Sequence, residues 1–395
     1  MKSVKSLVIF MLFFWFISKL YSQNKSPINY EIEYTAGKIV PNYTKIFPST
    51  NIQQAFALSL GKTNNDSLGW SRYYNFPETG VSFFASNLGN NKIYGNQFSI
   101  LPYIRYKVIH SRLPTYIKLS LGISYFTHHY DSVSNIENLS VGSAFTWGFQ
   151  AMLYQTIVQK QHYDIKLVGG YSHHSNGHTQ LPNFGLNSAL FGVSFQWNKA
   201  NLNHTTIQQT KNKKEVRKYF IHLREGLGFH ELGATIAPIG GDKKLVTTTS
   251  ISFGILFKNH LKWKTGFSYR FYQHYIDYIN ANRIESFQEN ATLSASNIYY
   301  FMGVEFLMNH VAIDIEGGLN LYKPFYEKFN EDFQKDKGLN HQLKKWFNSR
   351  MGLNYYLINT LKKPRNNVFI GAHINANFGQ ADFTEFSIGY SYVFN

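Results

Sequence analysis

Cysteine is absent from the 395 residues. Its absence excludes a disulfide framework, a thiolate nucleophile and any cysteine-held zinc or iron–sulfur centre. Long apolar runs are missing as well. Beyond the N-terminus nothing approaches the roughly eighteen consecutive apolar residues that a membrane helix needs, so any span has to be built from strands. Acidic residues are scarce, 23 against 39 Lys and Arg, for a formal net charge of +16. None occurs between Asp164 and Glu215. A surplus of positive charge suits either nucleic acid or an anionic, phosphate-rich membrane surface.

The N-terminus decides between these partners. In "MKSVKSLVIFMLFFWFISKLYSQ", Lys2 and Lys5 precede an apolar stretch from Leu7 to Ile17, and Leu20-Tyr21-Ser22 offers a cleavage site before Gln23. This is the pattern of an export signal over residues 1–22, which sets nucleic acid aside and leaves the membrane.

What is abundant is aromatic: 28 Tyr and 34 Phe, yet with a mean hydropathy of −0.28. A sheet with one greasy and one wet face reconciles the two. Period-2 alternation recurs along the chain. Ile117, Leu119, Leu121, Ile123 and Tyr125 alternate with Lys118, Ser120, Gly122 and Ser124, and Phe386, Ile388, Tyr390, Tyr392 and Phe394 close the chain in the same way. Strands of about ten residues with alternating faces behind an export signal predict an all-β protein, an antiparallel up-and-down transmembrane β-barrel. Eight strands are expected before residue 199, near 30–40, 52–60, 79–86, 93–107, 115–127, 139–157, 162–175 and 186–198. A polar linker at 199–218 follows, then about eight further strands over 219–395. The two halves form either two barrels or one larger one. The organisation read from sequence is thus a signal at 1–22, a first barrel at 23–198, the linker, and a second barrel-like half.

One stretch stands apart, "YSHHSNGHTQLPNFGLN" at 171–187. In the strand entering it, Ile165, Leu167, Gly169, Tyr171, His173 and Ser175 share the apolar face, while Lys166, Ser172 and His174 share the other. His173 and Ser175 are two apart on one face, the spacing at which an imidazole can activate a hydroxyl. Asn187 falls on the same outward face of the returning strand. A hairpin symmetric about Leu181 sets it opposite Ser175. Polar side chains in a lipid-facing row are costly unless they are functional or level with the headgroups. The same parity sends His174 to the other face, so His173, His174 and His178 do not converge and no metal site is expected. Pro182, Asn183 and Gly185 are explained by turn chemistry, and Trp147, Trp197 and Tyr171 by the aromatic girdle of such barrels.

The pattern H-x-S-N-G…P-N-x-G-x-N resembles the active-site segment of the PagL family of outer-membrane lipid A deacylases. The resemblance implies an eight-stranded barrel that hydrolyses an ester-linked acyl chain of lipid A, the 3-O chain, from the lipid side in the bacterial outer membrane. It implies no cofactor. Carried to this chain, Ser175 is the nucleophile, His173 the general base, and Asn176 with the Gly177 amide the oxyanion site. Asn187 stands where the family has an acid, and Asp131 or Glu137 of the preceding loop are the candidate replacements. The competing reading is a non-catalytic structural or porin-like barrel.

Overall fold

The computed structural model describes residues 28–42, 47–64, 69–198, 217–235 and 237–394. The export-signal segment lies outside the described residues, as does the linker apart from its last two positions.

Sixteen antiparallel strands form two closed barrels of eight. The first contains β1 (Ile28–Val40), β2 (Gln53–Thr63), β3 (Glu78–Asn87), β4 (Asn96–Ile109), β5 (Thr115–Phe126), β6 (Phe145–Gln159), β7 (Tyr163–Ser175) and β8 (Leu186–Asn198). It closes where β8 pairs with β1. The second contains β9 (Lys218–Ala234), β10 (Ala237–Phe257), β11 (Leu261–Tyr272), β12 (Ser296–Met308), β13 (Val311–Tyr322), β14 (Phe347–Tyr356), β15 (Asn366–Asn377) and β16 (Gln380–Val393), and closes where β16 pairs with β9. Of the two arrangements open at the sequence level, the strands adopt two barrels rather than one large ring.

Alternation is satisfied in the inverted sense that lipid demands. On β1, Tyr30, Ile32 and Tyr34 are exposed on the outside while Glu31, Glu33 and Thr35 are buried in the lumen. The first lumen is filled. Arg105 is paired with Glu31 and lies 3.0 Å from Glu78, Lys166 Nζ is 3.0 Å from Glu31, and Tyr154 donates to Glu33 at 2.6 Å. The second is filled alike. Arg350 lies 2.9 Å from Asp314 and 2.8 Å from Glu385, and Lys264 is 2.7 Å from both Asp314 and Glu316. Its mouth is closed by Tyr275 and Ile279 of the helix Gln273–Ala281 and by Phe325 and Phe329, packed on Tyr272 and Phe383. Removing one partner from such a buried pair leaves an uncompensated charge, a cost of about 3–5 kcal/mol.

Tight turns at 110–114, 160–162, 258–260 and 309–310 mark one end of the barrels. The long connections 127–144, 176–185, 273–295 and 323–346 mark the other, which by barrel convention faces outward from the cell. The β7–β8 loop is therefore at the outer rim. β6 starts at Phe145, not near residue 139, because the preceding residues pair elsewhere. The carbonyls of Leu139 and Ser140 accept from the amides of Phe184 and Gly185 in the β7–β8 loop, and Val141 is buried among Leu88, Phe126 and Leu186.

The barrels stand side by side and touch at both rims. At the inner rim Tyr74 donates to the His260 carbonyl at 2.6 Å and Tyr73 stacks on the His260 ring. At the outer rim, Trp147, Asn176, His178, Leu181 and Asn183 of the first barrel meet the second.

Candidate active site

The register of β7 against β8 sets the site. His173 pairs directly with Asn187, and Trp147 of β6 pairs with Ser175. The expected juxtaposition was Ser175 with Asn187. The ten-residue loop does not fix the register, and the pairing settles one row lower, a two-residue slip that keeps every side chain on its face. The slip brings imidazole and carboxamide together: His173 Nδ1 lies 2.6 Å from Asn187 Oδ1. Since that oxygen only accepts, Nδ1 carries the proton and Nε2 keeps its lone pair, the tautomer a general base requires. Asn187 is itself held, with Tyr171 donating to Oδ1 at 2.6 Å and Nδ2 donating to Asn42 Oδ1. Tyr171 thus orients the site as well as contributing to the lipid-facing aromatic surface. Gly185 lies against the ring, where an added Cβ would be 2.8 Å from His173 Cε1.

Ser175 is held by its own loop. Asn183 Nδ2 donates to Ser175 Oγ at 2.9 Å and the Gly177 amide does so at 3.2 Å, while Oγ is 3.3 Å from Asn183 Oδ1. His173 is on the same face two residues away but is not among the partners of Ser175. Two N–H donors on Oγ favour its anionic form. Asn183 is the residue that sequence reasoning missed. Its Pro-Asn-x-Gly setting has a sufficient turn explanation, and only the fold shows the carboxamide folded back onto the serine and onto the Asn176 amide at 3.1 Å.

The oxyanion donors differ from expectation in one respect. The Gly177 amide does point at Ser175 Oγ, but the Asn176 carboxamide donates to Gln180 O at 2.7 Å and Ser143 Oγ at 3.2 Å, bracing the loop instead. Neither candidate acid reaches His173. Asp131 caps its own loop, accepting from the Val133 and Ser134 amides at 3.0 and 2.8 Å; these bonds hold its carboxyl below the usual range. Glu137 is exposed, and Asn187 alone occupies His173 Nδ1.

His174 points into the lumen, against Gln97, Ser124 and Ser172. His178 stacks on His230 of the second barrel at 5.0 Å, and burial pushes its imidazole down to about 4. Among the described residues no group of three or more His, Asp or Glu side chains is placed to hold a metal.

This constellation lies on the outer face of the first barrel, at the rim. Residues 61–198 match the PagL family, Lipid A 3-O-deacylase. The PagL segment runs from Gly61 of β2 to Asn198 at the end of β8, takes in His173, Ser175, Asn183 and Asn187, and stops before the second barrel. No curated protein matches the chain. Among solved structures, the chain is similar to the COG4313 outer membrane channel from Pseudomonas putida F1, at 8% identity over 95% of this chain and 98% of that one, with a TM-score of 0.21. The outer membrane protein Omp33 from Acinetobacter baumannii is 7% identical over 94% of this chain and 100% of that one, with a TM-score of 0.16. Likeness at this level assigns no activity. The PagL segment and the apolar-out, charge-in barrels place the protein in the bacterial outer membrane.

Proposed function

We propose that the chain is an outer-membrane serine esterase that removes an ester-linked acyl chain, the 3-O chain, from lipid A. The observation that carries this reading is the outward row itself: a base-competent His173 and a twice-donated Ser175 on one lipid-facing strand, inside the PagL segment. In the reaction, the Ser175 proton turns from Asn183 to His173 Nε2 as Oγ attacks the ester carbonyl. The Gly177 amide and Asn183 Nδ2, which donate to Oγ in the resting site, pass to the oxyanion that develops on the adjacent carbonyl oxygen, with Asn176 supplying the frame of the loop. As the intermediate collapses to an acyl ester on Ser175, His173 gives the proton to the departing sugar oxygen, and water, deprotonated by His173, then hydrolyses the acyl-enzyme to release the fatty acid and restore Ser175. No cofactor enters. Lys38, exposed on the same outer face and paired with Ala189 one row below Asn187, offers a cation for a lipid A phosphate.

Both lumens are filled by ion pairs, so a substrate taken from the membrane side suits this architecture better than one passing through it. Mass spectrometry of lipid A from membranes carrying the wild-type chain or Ser175→Ala tests the proposal. Loss of one hydroxyacyl chain with the wild type alone is expected. Unchanged lipid A in both refutes the esterase and favours the structural or transport barrel.

A further inference from the structure

The second barrel has no counterpart in the PagL segment, yet its outer face meets the first barrel at the β7–β8 loop. Thr384 of β16 accepts from Trp147 Nε1 at 3.0 Å and donates to the Asn176 carbonyl at 3.3 Å. Glu231 of β9 stands on the outward row of its strand but is only 1% exposed, because its Oε2 accepts the Leu181 amide at 2.8 Å. The Thr235 carbonyl accepts the Asn183 amide at 2.9 Å. The fit at this seam is tight: a Cβ on Gly177, whose φ is +67°, would be 2.4 Å from Thr384 Oγ1.

The Thr384 contact falls on one peptide unit. The Asn176 carbonyl and the Gly177 N–H belong to the same plane, so a donor on the carbonyl fixes the direction of the N–H that points at Ser175 Oγ. Thr179 Oγ1 also donates to that carbonyl, at 3.0 Å, from within the loop. Thr384 holds it from outside. Leu181 and Asn183, the latter carrying the second donor to Ser175, are anchored on the same wall.

We propose that the second barrel is a positioning element of the esterase site, with Thr384 and Glu231 as positioning residues that fix the Asn176–Gly177 peptide and the Asn183 side chain on Ser175. The inference rests on the esterase reading above. Preorganised donors matter most when charge develops, so loosening them lowers turnover rather than substrate binding.

The test uses the full chain in detergent micelles with lipid A as substrate, together with the rate at which a fluorophosphonate probe labels Ser175. Thr384→Val keeps the shape and loses the hydrogen bonds, and Glu231→Met does the same at Leu181. Each is expected to lower kcat about tenfold with KM within about twofold, and to slow labelling in parallel. Thr384→Ser and Glu231→Gln should restore both readouts to within about twofold. Heat-modifiable gel mobility reports whether each variant forms its barrels, and Glu231→Met carries the test if Thr384→Val does not fold. Folded variants that turn over and label like the wild type overturn the positioning role while leaving the esterase intact. A wild type that neither deacylates lipid A nor labels at Ser175 overturns both.

Discussion

Replacing Asn187 by Asp asks what the missing carboxylate is worth. Asn187 already does half of an acid's work, since its Oδ1, 2.6 Å from His173 Nδ1, fixes the tautomer. In the proposed mechanism it cannot stabilise the imidazolium formed when His173 takes the serine proton. Two unit charges about 4 Å apart at an effective dielectric near 20 attract by about 4 kcal/mol. Part of that is lost. Asn187 Nδ2 donates to Asn42 Oδ1, and Asn42 cannot simply turn over because its own Nδ2 donates to Phe184 O at 2.7 Å. Setting a carboxylate oxygen against Asn42 Oδ1 costs about 1–3 kcal/mol. The remainder, about 2 kcal/mol, corresponds to a roughly thirtyfold higher kcat. Asn187→Leu, which removes the acceptor and frees the ring, should lower kcat about a hundredfold. Fatty acid released from lipid A, quantified by mass spectrometry at saturating substrate, measures both. A folded Asp variant no faster than the wild type refutes the view that the absent charge limits the rate. A Leu variant at the wild-type rate refutes the orienting role.

Gly185→Ala adds a Cβ 2.8 Å from the His173 ring at a backbone φ of +73°, and should cost about 1–2 kcal/mol of stability and lower kcat by displacing the base; thermal melts and turnover check the two effects separately. His178 supplies a pH dependence. Unfolded, its imidazole takes a proton near 6.5, whereas in the seam it stays neutral down to about 4. The folded protein therefore has its full stability above pH 6.5 and loses it as the pH falls toward 4, by roughly 3 kcal/mol from this group. His178→Phe retains a ring against His230 and should flatten this part of the melting-temperature profile; an unchanged slope would show that His178 is not its source.

Much of the site was legible because it depends on parity. A period of two assigns His173, Ser175 and Asn187 to the outward row and His174 to the lumen whatever the exact pairing; the burial of β7 follows it as far as His174, while Ser175 and Asn187, covered by loop residues, are buried as well. Register was not legible, since a ten-residue loop leaves a two-residue slip free, and that slip decides whether Asn187 meets the serine or the histidine. The start of β6 was misplaced for a related reason: Leu139 and Ser140 look like strand but pair with the β7–β8 loop. The role of Asn183 stayed hidden behind an adequate turn explanation. Nothing in local sequence connects Thr384 with Asn176, 208 positions apart, because that contact arises only when two barrels have closed and met. The number of barrels was undecided since strand patterns carry no record of which edges close.

The seam also gives the proposed reaction a direction. On the β6 side of Ser175, Trp147 is bonded to Thr384 of the second barrel, so lipid diffusing in the outer leaflet meets a wall there. On the opposite side, past Asn187, Val40, Phe191 and Lys38 are exposed among the described residues. Access to Ser175 from the outer leaflet is therefore one-sided. On the esterase reading, a lipid A molecule arrives across β1 and β8, past Lys38, and the shortened product leaves along the same lane.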